Sequence, residues 1–134
     1  MNATKWLSHL LGIGAVLEIP VGLGLLGMPS TLAALLLGAP VSGSGLVVAR
    51  LAGGGLLALG IACWFARSTP GTQASLGVAW ALLTYNIVAC ATLALLPPET
   101  GNQPLALGAA ILHGIIAAAL FSALVVRSSK RDAT

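Results

Sequence analysis

LGIGAVLEIPVGLGLL, residues 11–26, is the stretch that decides the fold of this chain. It is apolar enough to belong to a membrane-spanning helix of about 20 residues, yet Glu18 lies in its middle and Pro20 follows shortly after. A carboxylate at the centre of a bilayer costs at least about 2.5 kcal/mol. We therefore expect Glu18 to have a partner inside the protein or to be protonated.

The composition of the whole chain is that of an integral membrane protein. Of the 134 residues, 57% are hydrophobic and only 7% are charged, and the mean hydropathy is +1.00. A soluble domain carries about a quarter charged residues, so this chain has too few to cover a surface that faces water. The net charge of +3 is too small and too dispersed for nucleic-acid binding. Membrane lipids are the expected partner.

Four apolar stretches are long enough to cross a bilayer, and they predict an all-α, integral membrane four-helix bundle that forms one transmembrane domain, residues 1–134. The predicted spans are residues 6–28, 45–66, 74–96 and 105–126. Residues 30–37 are too few to span, and Pro29 can begin a helix. We therefore predict a short interfacial or re-entrant helix between the first two spans, on the outer side.

Basic residues near the span ends predict the orientation of the chain. Lys5 precedes the first span and Arg67 follows the second; a third group follows the fourth span and comprises Arg127, Lys130 and Arg131. With four spans, all three segments lie on one side, so both termini are expected in the cytoplasm.

A cleaved signal peptide also begins with a basic residue and an apolar core. Glu18 and Pro20 interrupt this core, so we interpret the segment as a span.

Each predicted span contributes costly polar side chains to one layer of the bilayer. They are Glu18, Arg50, Tyr85, Asn86 and His113. Counting about 1.5 Å per residue places them roughly 16 to 25 Å from the cytoplasmic ends of their spans. We predict that Glu18 and Arg50 form an ion pair and that the other three complete its hydrogen bonds. All five form the predicted ligand-binding site. The alternatives are a purely structural polar cluster and an Arg50 that extends to the headgroups.

Small residues at four-residue intervals predict which helix faces pack inward, because they let membrane helices approach closely. Gly14, Glu18 and Gly22 share one face of the first span. A second stripe begins at Arg50 and continues with Gly54, Ala58, Ala62 and Ala66. A third lies beside His113 and comprises Ala110, Gly114, Ala118 and Ser122. We therefore expect the polar side chains to lie on or next to packed faces, away from lipid.

No pattern in the sequence predicts catalysis or a required cofactor. The sequence has no HExxH motif and no cluster of Cys and His ligands, so a metal site is not expected. Cys63 and Cys90 are predicted at depths of roughly 6 and 22 Å, too far apart for a disulfide. Nothing resembles a nucleophile–base pair, and we favour binding over an enzymatic role.

The chain resembles the broad group of small bacterial four-span proteins that includes the DoxX-like families. The resemblance is carried by ARLAGGGLLALGIACWFAR (residues 49–67), by the YN pair at Tyr85 and Asn86, and by His113 within ILHGIIAAAL. Some DoxX-like proteins are associated with thiol or quinol redox complexes of membranes. The resemblance implies a multi-pass protein of the bacterial inner (plasma) membrane. Our first functional hypothesis is that the protein binds a small hydrophobic ligand, quinone- or lipid-like, or serves as an accessory subunit of a membrane complex. The expected partners, besides lipids, are a larger membrane complex or further copies of the chain in a homo-oligomer.

In that binding function, Arg50 and His113 would hydrogen-bond the polar head of the ligand, while Glu18 would fix Arg50. No cofactor would be required; a quinone or a lipid would be the bound molecule. This hypothesis assigns the five polar residues to recognition and leaves the apolar parts of the spans to hold the tail of the ligand.

The first span is also similar to that of the small multidrug-resistance exporters, which have four spans and one glutamate in the first, here within AVLEIPVG (residues 15–22). In those exporters the carboxylate exchanges drug for protons. The similarity implies a proton-coupled small-molecule exporter with Glu18 as the coupling carboxylate. We rank this second, because Arg50 would compete with a cationic substrate and because aromatic residues make up only 4% of the chain.

Overall fold

A computed structural model describes residues 3–97 and 103–131, with side chains for residues 4–97 and 103–126. The helices are α1 (Ala3–Gly27), α2 (Pro29–Leu37), α3 (Ser44–Ala66), α4 (Gln73–Ala94) and α5 (Gln103–Arg131). All except α2 are long and apolar enough to cross a membrane. The predicted all-α fold, with a short helix between the first two spans, is confirmed. The helix α5 runs beyond its predicted span, because the apolar stretch sets the membrane crossing and not the helix end.

The short helix α2 begins and ends at residues suited to those positions. Pro29 occupies its first turn, where the missing N–H breaks no helical hydrogen bond. Gly38 ends it in the left-handed region, at φ 73°, and donates its N–H to the Ala34 carbonyl at 2.9 Å. Leu32 of α2 packs against α1, 3.1 Å from the position that a Cβ on Gly24 would occupy. The helix α2 is therefore part of the bundle wall.

Buried residues recur on the long helices at alternating intervals of three and four. On α3 the buried face comprises Gly53, Leu56, Gly60 and Cys63. On α4 the same spacing gives Ser75, Ala79, Leu82 and Asn86. An average interval of 3.5 residues is the repeat by which helices in bundles keep one face toward their neighbours. Glu18 and Asn86 therefore occupy core positions of the bundle.

Of the three predicted small-residue stripes, the stripe on α1 is confirmed and the stripe on α3 is wrong. Gly14, Glu18 and Gly22 are all buried, as predicted. On α3 the prediction is wrong by one residue, because Ala58 is exposed and Gly54 has open space around it. Four residues turn a helix by about 400°, so a strict four-residue stripe drifts about 40° per step. Over a long span the stripe leaves the packed face.

The third predicted stripe, on α5, fails for the same reason. Ala110 at its start is buried, whereas Ala118 and Ser122 farther along are exposed. The face that does pack inward continues at intervals of three and four through Ala117 and Leu120, both of which are buried. His113 lies on this face and is half-buried.

The helices α1 and α3 are in close backbone contact at two glycines. A Cβ on Gly22 would lie 2.6 Å from the Leu57 backbone N and 2.8 Å from the Gly53 carbonyl O. A Cβ on Gly53 would lie 2.9 Å from the Gly22 carbonyl O. Since real Cβ atoms do not approach backbone so closely, only glycine fits at either position. This contact fixes α3 beside the part of α1 that carries Glu18.

The bundle core is concentrated in one half of the molecule, called here the packed half. Its buried members come from α1, α3, α4 and α5: Leu7, Leu10, Leu11, Ala15, Cys63, Ala79, Leu82, Leu83, Ile116, Ala117, Leu120, Ala123 and Leu124. These residues lie near the start of α1 and toward the end of α5. The helix α2 lies at the opposite end, in the half that contains the cavity described below.

Candidate functional site

The half of the bundle that contains α2 holds a cavity of about 660 Å³. All five helices contribute to its wall, and α2 supplies a row of apolar side chains between Leu32 and Leu37. Among the described residues that line it, the polar side chains are Glu18, Ser44, Tyr85 and His113. Most small-molecule sites in proteins combine an apolar lining with a few polar groups in this way.

Behind the cavity wall, Asn86 links the helices α4 and α5. The Asn86 side chain is fully buried, and its Nδ2 donates to the Leu82 carbonyl at 2.8 Å. Its Oδ1 lies 2.8 Å from His113 Nδ1. An amide oxygen only accepts hydrogen bonds, so Nδ1 carries the hydrogen of this bond. The Nε2 of a neutral His113 is then a hydrogen-bond acceptor.

Tyr85 completes this group from the same side of the cavity. Its ring meets the His113 ring edge to face, with the centroids 5.6 Å apart and the planes at 87°. Edge-to-face packing is a preferred arrangement of aromatic rings. The positions of the imidazole and the phenol are therefore coupled, and both line the cavity.

Glu18 approaches the cavity from α1. Its side chain is only 5% exposed, and it lines the cavity with Tyr85 and His113. Among the residues whose side chains the structure describes, none makes a hydrogen bond or ion pair with its carboxyl group. Gly60 of α3 leaves room beside it, because a Cβ there would lie 3.2 Å from the Glu18 Cβ. Glu18 is thus a buried carboxyl group with unused bonding capacity.

The predicted ion pair between Glu18 and Arg50 is wrong. Arg50 is exposed and lies in a separate groove with Leu26, Val47 and other apolar residues. Its neighbours Ala49 and Ala52 line the cavity instead. Successive residues of a helix point about 100° apart, so the position next to Ala49 faces outward. Arg50 therefore stands apart from the other four predicted site residues.

The structure brings four of the five predicted site residues together. The sequence analysis did not predict that α2 and Ser44 also line the cavity. Glu18, Tyr85 and His113 share the cavity, and Asn86 holds His113 from behind. The missed contributors are Ser44 at the start of α3 and the leucines of α2. The leucine-rich composition of residues 32–37 is the available signal, and it predicts an interfacial or re-entrant helix without indicating a cavity wall.

The comparisons with known proteins give no family. No protein family matches the chain, and no curated protein or solved structure is significantly similar to it. The assignment to the DoxX-like families stays a prediction, as do the orientation and the particular membrane. Four long apolar helices and a short one make this chain a small, all-helical, multi-pass membrane protein.

Proposed function

We propose that this membrane protein binds one small hydrophobic molecule in the cavity and that the head of the molecule donates a hydrogen bond to Glu18. A quinol-like or lipid-like molecule with a hydroxyl head fits this description. The protein would act alone or as an accessory subunit of a membrane complex. The observation that carries the proposal is the buried Glu18 carboxyl group, which lines the cavity and has no partner among the described side chains.

The size and lining of the cavity support a hydrophobic ligand. Small-molecule sites have volumes of about 300 to 1,000 Å³, and about 660 Å³ is available here. The polar groups contributed by α1, α4 and α5 are Glu18, Tyr85 and His113, whereas α2 and most of α3 contribute apolar surface. A molecule with one polar end and an apolar body matches this asymmetry.

The hydrogen-bond inventory supports a donating head. Glu18 offers carboxyl oxygens, and His113 offers an acceptor at Nε2, since its Nδ1–H is used by Asn86. A hydroxyl group bonds to an ionised Glu18 or to His113 Nε2, whereas a ketone or an ether oxygen bonds to neither of these and is left with the hydroxyl groups of Tyr85 and Ser44. We therefore favour the reduced, hydroxylated form of a quinone-like molecule over its oxidised form.

The test uses two ligands that differ only in donor capacity. The full chain is reconstituted in lipid nanodiscs and titrated by calorimetry with a short-chain prenylated hydroquinone and with its dimethyl ether. We expect saturable binding of one hydroquinone and at least tenfold weaker binding of the ether. Hydrogen bonds to charged groups contribute about 1.5 to 3 kcal/mol, and about 1.4 kcal/mol corresponds to tenfold in affinity.

Two matched variants test whether Glu18 recognises the head. Glu18→Gln should weaken the binding of the hydroquinone about tenfold and leave the binding of the ether unchanged. Arg50→Gln also changes one charge but lies in the separate groove, so it should bind the hydroquinone like the wild type. Equal losses in the two variants, or no saturable binding by the wild type, would contradict the proposal.

A second candidate function is proton-coupled export of a hydrophobic cation, and the position of Arg50 favours it. With Arg50 outside the cavity, no described cationic side chain lines the cavity with Glu18. A lipophilic cation is then free to replace a proton on the carboxyl group. Proteoliposomes with a proton gradient should take up tetraphenylphosphonium, and Glu18→Gln should abolish this uptake. Uptake that survives in Glu18→Gln would exclude Glu18 as the coupling group.

A further inference from the structure

A second cavity, of about 370 Å³, lies at the end of the bundle where α1 begins and α3 ends. It is called here the basic pocket. Three basic side chains and three hydroxyl side chains line it: Lys5, His9, Arg67, Thr4, Ser8 and Ser68. The packed half separates it from the cavity that contains Glu18, so the two sites have no lining residue in common.

Two contacts hold Arg67 at the C-terminal end of α3. Its guanidinium group lies over the Trp64 ring, 3.6 Å from the centroid. Ser8 of α1 donates to its carbonyl oxygen at 2.6 Å. Its Nε is buried and has no hydrogen-bond partner in the described part of the chain. Arg67 therefore stays in a fixed place with donor capacity that the described residues do not use.

The charge of the basic pocket is not balanced by a described acidic residue. Between residues 3 and 97 and between 103 and 131, Glu18 is the only carboxylate, and it lines the other cavity. Lys5 and His9 are both exposed, so they can turn toward an anion without loss of packing. Ser8 and Ser68 already donate their hydroxyl hydrogens to backbone carbonyls, so the basic side chains supply the donors for an anionic oxygen.

We infer that the basic pocket binds a phosphate group, carried by the headgroup of an anionic phospholipid. The pocket lies at the beginning of the candidate span Thr4–Gly27 and just beyond the end of the candidate span Ser44–Ala66, where phospholipid headgroups meet a spanning helix. Arginine forms paired hydrogen bonds with phosphate oxygens and stacks on aromatic rings, as Arg67 does on Trp64. Basic pockets between membrane helices bind anionic headgroups in this manner.

Native mass spectrometry of the full chain tests this inference. The protein is released from nanodiscs that contain equal amounts of phosphatidylglycerol and phosphatidylcholine. The wild type should retain one phosphatidylglycerol in preference to phosphatidylcholine. Arg67→Gln should reduce this retention about fivefold, which corresponds to about 1 kcal/mol for one basic side chain. Lys5→Gln, at an exposed position, should also reduce it and provides a second test if Arg67→Gln fails to fold.

A control variant and a competing ligand decide whether the basic pocket binds the phosphate group of a lipid. Arg50→Gln removes the same charge at the other end of α3 and should retain phosphatidylglycerol like the wild type. Inorganic phosphate that displaces the lipid at millimolar concentration would support the same phosphate chemistry with a source in solution. Equal retention of the two lipids by the wild type, or equal losses in Arg67→Gln and Arg50→Gln, would overturn the inference.

Discussion

The packed half and the half that contains the cavity are built from the same four long helices and from similar apolar residues. Only in the packed half do the side chains fill the space between the helices. In the packed half, Leu7, Leu82 and Leu120 have no exposed surface. In the other half, Leu112 lines the cavity and is 45% exposed. There α2 forms part of the wall and Glu18 lies at the boundary. Because lipid tails are as apolar as leucine, little drives a membrane protein to close such a space.

The largest expected difference between the halves concerns two leucines of α5. Leu120→Ala removes a fully buried side chain of the packed half and should reduce the free energy of unfolding by about 3 kcal/mol. Leu112→Ala removes a side chain that already faces open space and should cost under about 1 kcal/mol. Steric-trapping measurements in bicelles compare the two variants. Equal costs would mean that the cavity is closed in the protein.

Adjacent glycines of α3 provide a second comparison, in which the destabilised variant loses less stability than Leu120→Ala. Gly53→Ala places a Cβ against the backbone of α1 and should cost about 2 kcal/mol through overpacking. Gly54→Ala meets nothing within 4 Å and should stabilise the helix by up to about 1 kcal/mol. The same unfolding assay gives both values. A reversed order of the two variants would show that α3 presents a different face to α1.

The smallest expected effect is at Asn86, on the boundary between the halves. Asn86→Leu leaves His113 Nδ1 without its acceptor and should cost about 1.5 kcal/mol. Thr84→Val, two residues earlier, removes only an exposed bond to the Trp80 carbonyl and should cost under about 0.5 kcal/mol. If unfolding free energies of the two variants are equal, the bond between Asn86 and His113 has no structural importance.

Much of the fold was predictable because the bilayer imposes it. The length of an apolar stretch fixes a span to within a few residues, and Pro29 and Gly38 are residues suited to the ends of a short helix. The depth of Glu18, Tyr85 and His113 followed from the rise per residue alone. These three side chains do line one cavity, as their common depth suggested.

The direction in which each side chain points around its helix axis was harder to predict than its depth along the span. A four-residue stripe stays on one face over the short distance from Gly14 to Gly22, but it drifts away from the packed face by Ala58. A difference of one residue also decides the environment of Arg50, because Ala49 lines the cavity whereas Arg50 faces outward. The leucines of residues 32–37 indicate an apolar helix, but their place in the wall of a cavity depends on tertiary packing.

Nitrogen-15 NMR of the His113 ring in bilayers is the most direct test of a shared polar site that receives a ligand. We expect a protonated Nδ1, held by Asn86, and an unprotonated Nε2 in the free protein. Saturating prenylated hydroquinone should shift the Nε2 resonance and leave Nδ1 nearly unchanged. An Nε2 resonance that does not respond to the hydroquinone, or a ring protonated only at Nε2 before it is added, would contradict the proposed site.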